Sequence, residues 1–144
     1  MTDTVSSTVN PETDVAASAR RGEPGYGAYQ ILHLAFTVAP LLAGLDKFFH
    51  LMVNWDKYLA PWLSRLFGGH GHAFMLAVGC VEIIAALGVA MKPRLFAYVV
   101  AAWLCGIIIN LLSYSGWYDI VLRDFGLMLG ALALGRLAQQ YDRS

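Results

Sequence analysis

Charged residues are scarce in this chain: of its 144 residues, only 10 are basic and 10 are acidic. This 14% share is well below the roughly 25% of an ordinary soluble domain, and the mean hydropathy is +0.54. The formal net charge is zero, so nothing indicates nucleic-acid binding. Several apolar runs are long enough to cross a bilayer, and the composition therefore predicts one small multi-pass membrane bundle.

Cysteine is nearly absent, with only Cys80 and Cys105. Both stand inside apolar runs and form no CxxC pair, which predicts buried, unpaired thiols rather than a transmembrane dithiol. No established metal-ligand spacing is present either. The GGHGH segment (68–72) favours solvated loop histidines over a metal site built with His50, and His33 has no second histidine at matching depth for haem. We predict no metal and no covalently bound cofactor.

The chain divides into a polar segment and an apolar domain. Residues 1–26 lack an apolar run and predict a disordered tail. Residues 27–140 predict an all-α fold, a four-transmembrane-helix bundle with helices over about 28–52, 72–91, 95–114 and 117–139. Between the first two helices, residues 54–67 are too polar to span and predict a short interfacial amphipathic helix, with one face formed by Trp55, Leu59, Trp62 and Leu66. The Trp and Tyr residues are interpreted as interfacial anchors.

Small residues at helical spacing predict where helices pack closely. Ala102, Gly106 and Asn110 share one face of the third predicted helix, and Gly126 and Gly130 form a GxxxG spacing on the fourth. Lys and Arg near the ends of the helices favour a topology with both termini in the cytoplasm.

Glu82 is the central feature, because it lies near the middle of a 20-residue apolar run about 30 Å long. A carboxylate at that depth needs a cationic partner or a proton, and so marks a candidate site. The predicted topology brings Lys47, Asn110, Arg123 and Asp124 into the same half of the bundle. The charges either lock the register of the helices or line a polar pocket for a quinone head group or a proton relay. His50 closes the first helix and is included as a binding candidate.

Three segments resemble a known family. The first helix ends in GLDKF (44–48), the second carries EIIAALG (82–88), and the fourth begins with RDFGL (123–127). Their order and spacing are similar to those of the DoxX family, over about residues 30–137. The resemblance implies a four-helix bacterial inner-membrane protein, with Lys47, Glu82 and Asp124 as the matching polar positions. The family takes its name from a subunit of a thiosulfate:quinone oxidoreductase. This chain departs from the pattern in its long aromatic first loop, its polar tail and its alanines after Glu82.

Two functions remain open, and with them the question of whether the chain is an enzyme. In the first, it is the membrane subunit of a quinone-linked oxidoreductase, partnered by a soluble subunit that carries any flavin or metal. In the second, it is a non-catalytic accessory bundle packed against a larger membrane complex. Its expected partners are the lipid bilayer and other membrane or redox subunits. The first function assigns catalytic roles to Glu82 and Asp124, and substrate binding to Lys47, Arg123, Asn110 and His50.

Overall fold

The computed structural model describes residues 11–143, and all regular secondary structure in this range is helical. Six α-helices and one 3₁₀ turn follow one another: α1 (Pro11–Arg21), α2 (Pro24–Phe49), the 3₁₀ turn (Trp55–Tyr58), α3 (Pro61–Leu66), α4 (Gly71–Met91), α5 (Pro93–Leu112) and α6 (Tyr118–Tyr141). The four long helices agree with the four helical segments predicted from the sequence.

Helix α1 occupies much of the segment for which the sequence predicts a disordered tail. It begins at a proline, which suits the first turn of a helix. Glu12 and Asp14 lie in its first turn and Arg20 and Arg21 in its last, so the charges at both ends interact favourably with the helix dipole. The structure therefore differs from the expectation over 11–26, whereas residues 1–10 lie outside the described residues.

The helices α2, α4, α5 and α6 form an antiparallel bundle. Helix α2 packs mainly on α4, helix α5 packs mainly on α6, and contacts of α2 with α6 and of α4 with α5 join the two pairs. The core uses small side chains, including the fully buried alanines Ala86, Ala97, Ala131 and Ala138. Small residues at these positions allow the helix backbones to approach closely.

Three helices, α2, α4 and α5, are long and apolar enough to cross a membrane, by length and composition. Helix α6 has 24 residues and is long enough, but it is less apolar than these three helices. Its lower hydropathy follows from its polar side chains, which include Arg123, Asp124 and Arg136. Over the described residues, the coarser prediction of an all-helical fold with helices long and apolar enough to span a membrane is confirmed, and the count of four spans stays a prediction.

Two glycines bring α2 and α4 together. A Cβ atom built on Gly44 would lie 2.8 Å from the carbonyl oxygen of Gly79, and one built on Gly79 would lie 2.9 Å from the carbonyl oxygen of Gly44. The backbones thus touch where neither residue has a side chain. By contrast, Gly126 has nothing within 4 Å of an added Cβ, so no described helix packs closely on it, whereas a Cβ on Gly130 would lie 3.1 Å from the ring of Phe36.

His33 joins the same two helices near the opposite end of the bundle. Its Nε2 atom donates a hydrogen bond of 2.8 Å to the carbonyl oxygen of Val89. In a regular helix that carbonyl would accept from the residue four positions later, which is Pro93 and has no N–H. The half-buried His33 therefore satisfies a carbonyl that the proline leaves without a partner, which is a structural role other than haem ligation.

We call residues 51–70 the cap segment, because they fold over the end of the bundle where α2 ends and α4 begins. Asn110 on α5 holds this segment from below: its Nδ2 donates to the carbonyl oxygen of Tyr58 (2.8 Å), and its Oδ1 accepts from the N–H of Ala60 (3.1 Å). Trp62 Nε1 donates to Ser113 Oγ at 2.7 Å. The segment is a 3₁₀ turn followed by the short α3, rather than one amphipathic helix.

The phenol of Tyr114 adds a further bond to the cap segment. Its hydroxyl donates to the carbonyl oxygen of Lys57 at 3.3 Å. The pKa of Tyr114 is raised above its ordinary value, mainly by burial and to a smaller extent by the neighbouring Tyr58. The phenol therefore keeps its donor proton throughout the neutral range. The cysteines, in contrast, lie on outer faces of the bundle: Cys80 and Cys105 are unpaired, as predicted, but exposed rather than buried.

Candidate functional site

A cavity of about 610 Å³ lies inside the bundle, beneath the cap segment. All four long helices contribute to its wall, and Trp55 and Tyr58 of the cap segment close it. Much of the wall is apolar, with side chains such as Phe36, Val100 and Leu104. The volume falls within the range of about 300–1,000 Å³ that is usual for sites binding small molecules. Five of the six residues predicted for the site line this one cavity: Lys47, Glu82, Asn110, Arg123 and Asp124.

The central contact in the cavity is an ion pair between α2 and α4. Lys47 Nζ lies 2.6 Å from Glu82 Oε2, and the two side chains are only 3% and 11% exposed. Each of these residues lies three positions after Gly44 or Gly79, that is, about one helical turn beyond the backbone contact. The glycines therefore set the distance at which lysine and glutamate meet, and Glu82 finds the cationic partner that its position requires.

Helix α6 brings a second ion pair to the cavity. Arg123 Nε lies 3.3 Å from Asp124 Oδ1, and the carboxylate is 8% exposed whereas the guanidinium-bearing side chain is 64% exposed. Asp124 is close enough to Glu82 for the two carboxyl groups to interact electrostatically. The cavity thus holds two acids and two bases, with each acid paired to a different base.

Asn110 also lines the cavity, but its amide already has partners. Both its Nδ2 and its Oδ1 are bonded to the backbone of the cap segment, at Tyr58 and Ala60. The role that follows from the structure is to hold the cap segment over the cavity. A direct substrate contact would have to share these atoms.

His50 is the site candidate that the structure does not bring to the cavity wall. It follows α2 with a left-handed backbone, φ 52°, and its N–H donates to the carbonyl oxygen of Asp46 at 2.7 Å. Its ring stacks on that of His72, with 5.5 Å between the ring centroids. The reason is the turn after α2, which directs the chain away from the bundle interior.

Two tryptophans line the cavity, although the sequence predicts that they are interfacial anchors. Trp55 donates its indole N–H to Asp46 Oδ2 at 2.7 Å, and the Lys47 ammonium lies 3.8 Å from the centroid of its ring, a cation–π contact. Asp46 also accepts from the N–H groups of Leu51 and Met52, at 2.8 and 2.9 Å. This carboxylate therefore orders the turn, and the ordered Trp55 covers Lys47.

Trp103 is the second, and it lies in the middle of α5. Its Nε1 atom is buried and interacts with the carboxyl group of Glu82 in the same cavity, but without the geometry of a regular hydrogen bond. Spacing could have identified it, because Trp103 lies seven residues before Asn110 and so shares its helix face. A buried indole donor whose hydrogen bond is poorly formed is unfavourable, and a ligand in the cavity could supply a better-placed acceptor.

The chemistry of the cavity follows from these groups. It offers N–H donors from Lys47 and Trp103, two carboxyl groups and apolar walls, which suits an uncharged ligand with oxygen acceptors. Its basic side chains do not suit a cation, and no three metal-ligating atoms converge in the cavity among residues 11–143. Comparison with family models, with curated proteins and with solved structures finds no match to this chain.

Proposed function

We propose that this chain is the DoxX-like membrane subunit of a quinone-linked oxidoreductase, and that its cavity binds the head group of a lipid-soluble quinone. The observation that carries the proposal is a buried indole donor, Trp103 Nε1, that makes no regular hydrogen bond and lies beside the Lys47–Glu82 ion pair in an apolar-walled cavity. The resemblance of 44–48, 82–88 and 123–127 to the DoxX motifs supports the same conclusion.

A quinone head group matches the donors of the cavity. Its carbonyl oxygens accept hydrogen bonds, and the two donors available to them are the Trp103 indole N–H and the Lys47 ammonium, which keeps N–H groups beyond the one directed at Glu82. The aromatic and aliphatic wall suits the ring and the start of its isoprenoid tail. The Lys47 ammonium keeps its hydrogen bond to Glu82 when the quinone enters, and the Trp103 indole exchanges its irregular interaction with Glu82 for a hydrogen bond to the quinone.

Reduction of a quinone to a quinol consumes two electrons and two protons. In this proposal the electrons come from a partner subunit that carries a flavin or a metal centre. The protons pass through the carboxyl groups of Glu82 and Asp124, which line the cavity and interact with each other. Two neighbouring acids that share a low-dielectric site favour such a transfer, because they do not readily carry two negative charges together.

The proposal places the chain in a bacterial inner membrane as four spans, with both termini in the cytoplasm and the cap segment on the other side. Helix α6 is about 36 Å long, enough to cross a bilayer. Its outward face carries exposed apolar side chains, namely Leu122, Phe125, Leu129 and Leu132. The carboxylate of Asp124 is buried against the cavity, and the exposed side chain of Arg123 lies within two turns of the start of α6, close enough to extend to the headgroup region.

Filling the cavity tests the proposal directly. Gly106 lines the cavity and has nothing within 4 Å of an added Cβ, so Gly106→Leu puts a side chain into the space without a backbone clash. We expect this variant to lose at least 10-fold in affinity for a short-chain ubiquinone, measured by titration in detergent, while its thermal unfolding temperature stays at or above that of the wild type.

The matched control is Gly126→Leu, because Gly126 is equally open but lies outside the cavity. It should bind the quinone like the wild type. Equal affinities for the wild type and both variants would contradict the proposal and favour the non-catalytic accessory function, for which the cavity needs no ligand.

A second variant tests the indole donor. Trp103→Phe keeps an aromatic ring in the wall and removes the N–H, so we expect quinone affinity to fall by about 2- to 10-fold. Stability should change little, because the indole N–H makes no regular hydrogen bond to the rest of the protein. Trp62→Phe is the control: it removes a hydrogen bond to Ser113 outside the cavity and should leave quinone binding unchanged. If Trp103→Phe binds the quinone as tightly as the wild type, the indole N–H takes no part in quinone binding.

A further inference from the structure

Three potential metal-ligating side chains from different parts of the chain meet outside the cavity. His50 follows the end of α2, Asp56 lies in the 3₁₀ turn, and His72 is the second residue of α4. One potential ligand atom from each lies within 4.8 Å of the other two. Sequence spacing does not predict this grouping, since it places His70 beside His72; the fold of the cap segment instead turns Asp56 toward the two histidines.

The contacts within this group resemble those around a metal. His72 Nδ1 lies 2.9 Å from Asp56 Oδ2, and the rings of His50 and His72 are stacked with 25° between their planes. The second carboxylate oxygen, Asp56 Oδ1, is buried and has no hydrogen-bond partner among the described residues. A carboxylate oxygen shielded from water and without a donor carries uncompensated negative charge, which a cation would neutralise.

We propose that His50, Asp56 and His72 form a binding site for a divalent transition metal ion of the zinc class. Two imidazoles and one carboxylate suit Zn²⁺ better than Mg²⁺ or Ca²⁺, which prefer oxygen ligands alone. Tetrahedral zinc holds its ligand atoms about 3.3 Å apart, so the group has to contract slightly, and the ion takes the place of the His72–Asp56 hydrogen bond. Water completes the coordination.

A metal ion at this site would hold the cap segment in place. His50 and His72 flank residues 51–70, and Asp56 lies next to Trp55, which closes the cavity. A metal bound by all three residues joins both ends of the cap segment to its first turn. This inference is independent of what the cavity binds, because none of the three ligands lines the cavity.

The test uses the full-length protein in detergent, purified without a polyhistidine tag and freed of metal with a chelator. Titration with Zn²⁺ by calorimetry should show one ion per chain. His72→Ala and His50→Gly should each weaken this binding at least 10-fold; glycine is chosen at position 50 because the backbone there is left-handed. Co²⁺ should give the intense visible absorption of a four-coordinate site in the wild type and lose it in both variants.

The matched control is His70→Ala, since His70 is an exposed histidine two residues from His72 but outside the group. It should bind Zn²⁺ like the wild type. The proposal is overturned if the wild type binds no Zn²⁺, or if all three variants bind it equally, which would indicate adventitious surface binding. Unfolding temperatures of the metal-free variants, measured alongside, distinguish a lost ligand from a lost fold.

Discussion

Replacing Lys47 by methionine is expected to lower the free energy of unfolding by about 3–5 kcal/mol, because it leaves the carboxylate of Glu82 buried without a cation. Glu82→Met should have a similar effect, since it leaves the ammonium of Lys47 buried without an anion. Denaturant unfolding in a single detergent measures both. Lys57→Met is the control, because Lys57 is exposed on the cap segment and its charge stays in water.

The double variant Lys47→Met/Glu82→Met separates the ion pair from the packing of its side chains. Two apolar side chains of similar size can replace a buried pair with little or no loss of stability, so the double variant should be more stable than either single variant. If the two single losses simply add in the double variant, the residues act independently, and the contact of 2.6 Å does not couple them.

Alanine at Gly44 and alanine at Gly126 are expected to change stability in opposite directions. At Gly44 the new Cβ would lie 2.8 Å from a backbone oxygen of α4, which cannot move without moving the helix. The net loss should be about 1–3 kcal/mol, despite the better helix propensity of alanine. At Gly126 nothing lies within 4 Å, and the same change should stabilise the protein by up to about 1 kcal/mol.

Unfolding of both variants in the same detergent checks this expectation. A Gly44→Ala variant as stable as Gly126→Ala would mean that α2 and α4 do not approach each other closely in solution. Because Lys47 lies one turn after Gly44, the loss at Gly44 should also reduce the coupling between Lys47 and Glu82, which the double-variant comparison would detect.

The helices themselves could be predicted from the sequence. Long apolar runs bounded by Pro, Gly and polar residues allow few other structures, and α2, α4 and α5 are long and apolar enough to span a membrane. The need for a partner to Glu82 was also visible, because a carboxylate within such a run requires one. The sequence left open whether Lys47 or Arg123 would supply it.

The contacts between helices determine which basic residue pairs with Glu82. The pairing of Lys47 with Glu82 depends on the backbone contact between Gly44 and Gly79, two residues far apart in the chain whose lack of side chains becomes meaningful only when α2 and α4 meet. Gly106 shows the opposite case: it was expected to pack closely against a neighbouring helix, but it lines the cavity instead. A small residue permits close packing, but the neighbouring helix decides whether the space is filled.

The sequence by itself determined a helical, apolar chain with ionisable residues concentrated toward one end of the bundle, because hydropathy and helical period are local properties. Only the tertiary structure decided which charges pair, that the Trp103 indole faces the cavity without a regular hydrogen bond, and that His50, Asp56 and His72 meet outside it. These arrangements bring together residues from different elements, such as Asp56 and His72, 16 positions apart, and Lys47 and Glu82, 35 positions apart. Such distances are set by the packing of backbones and by the path of the cap segment, which no local pattern encodes.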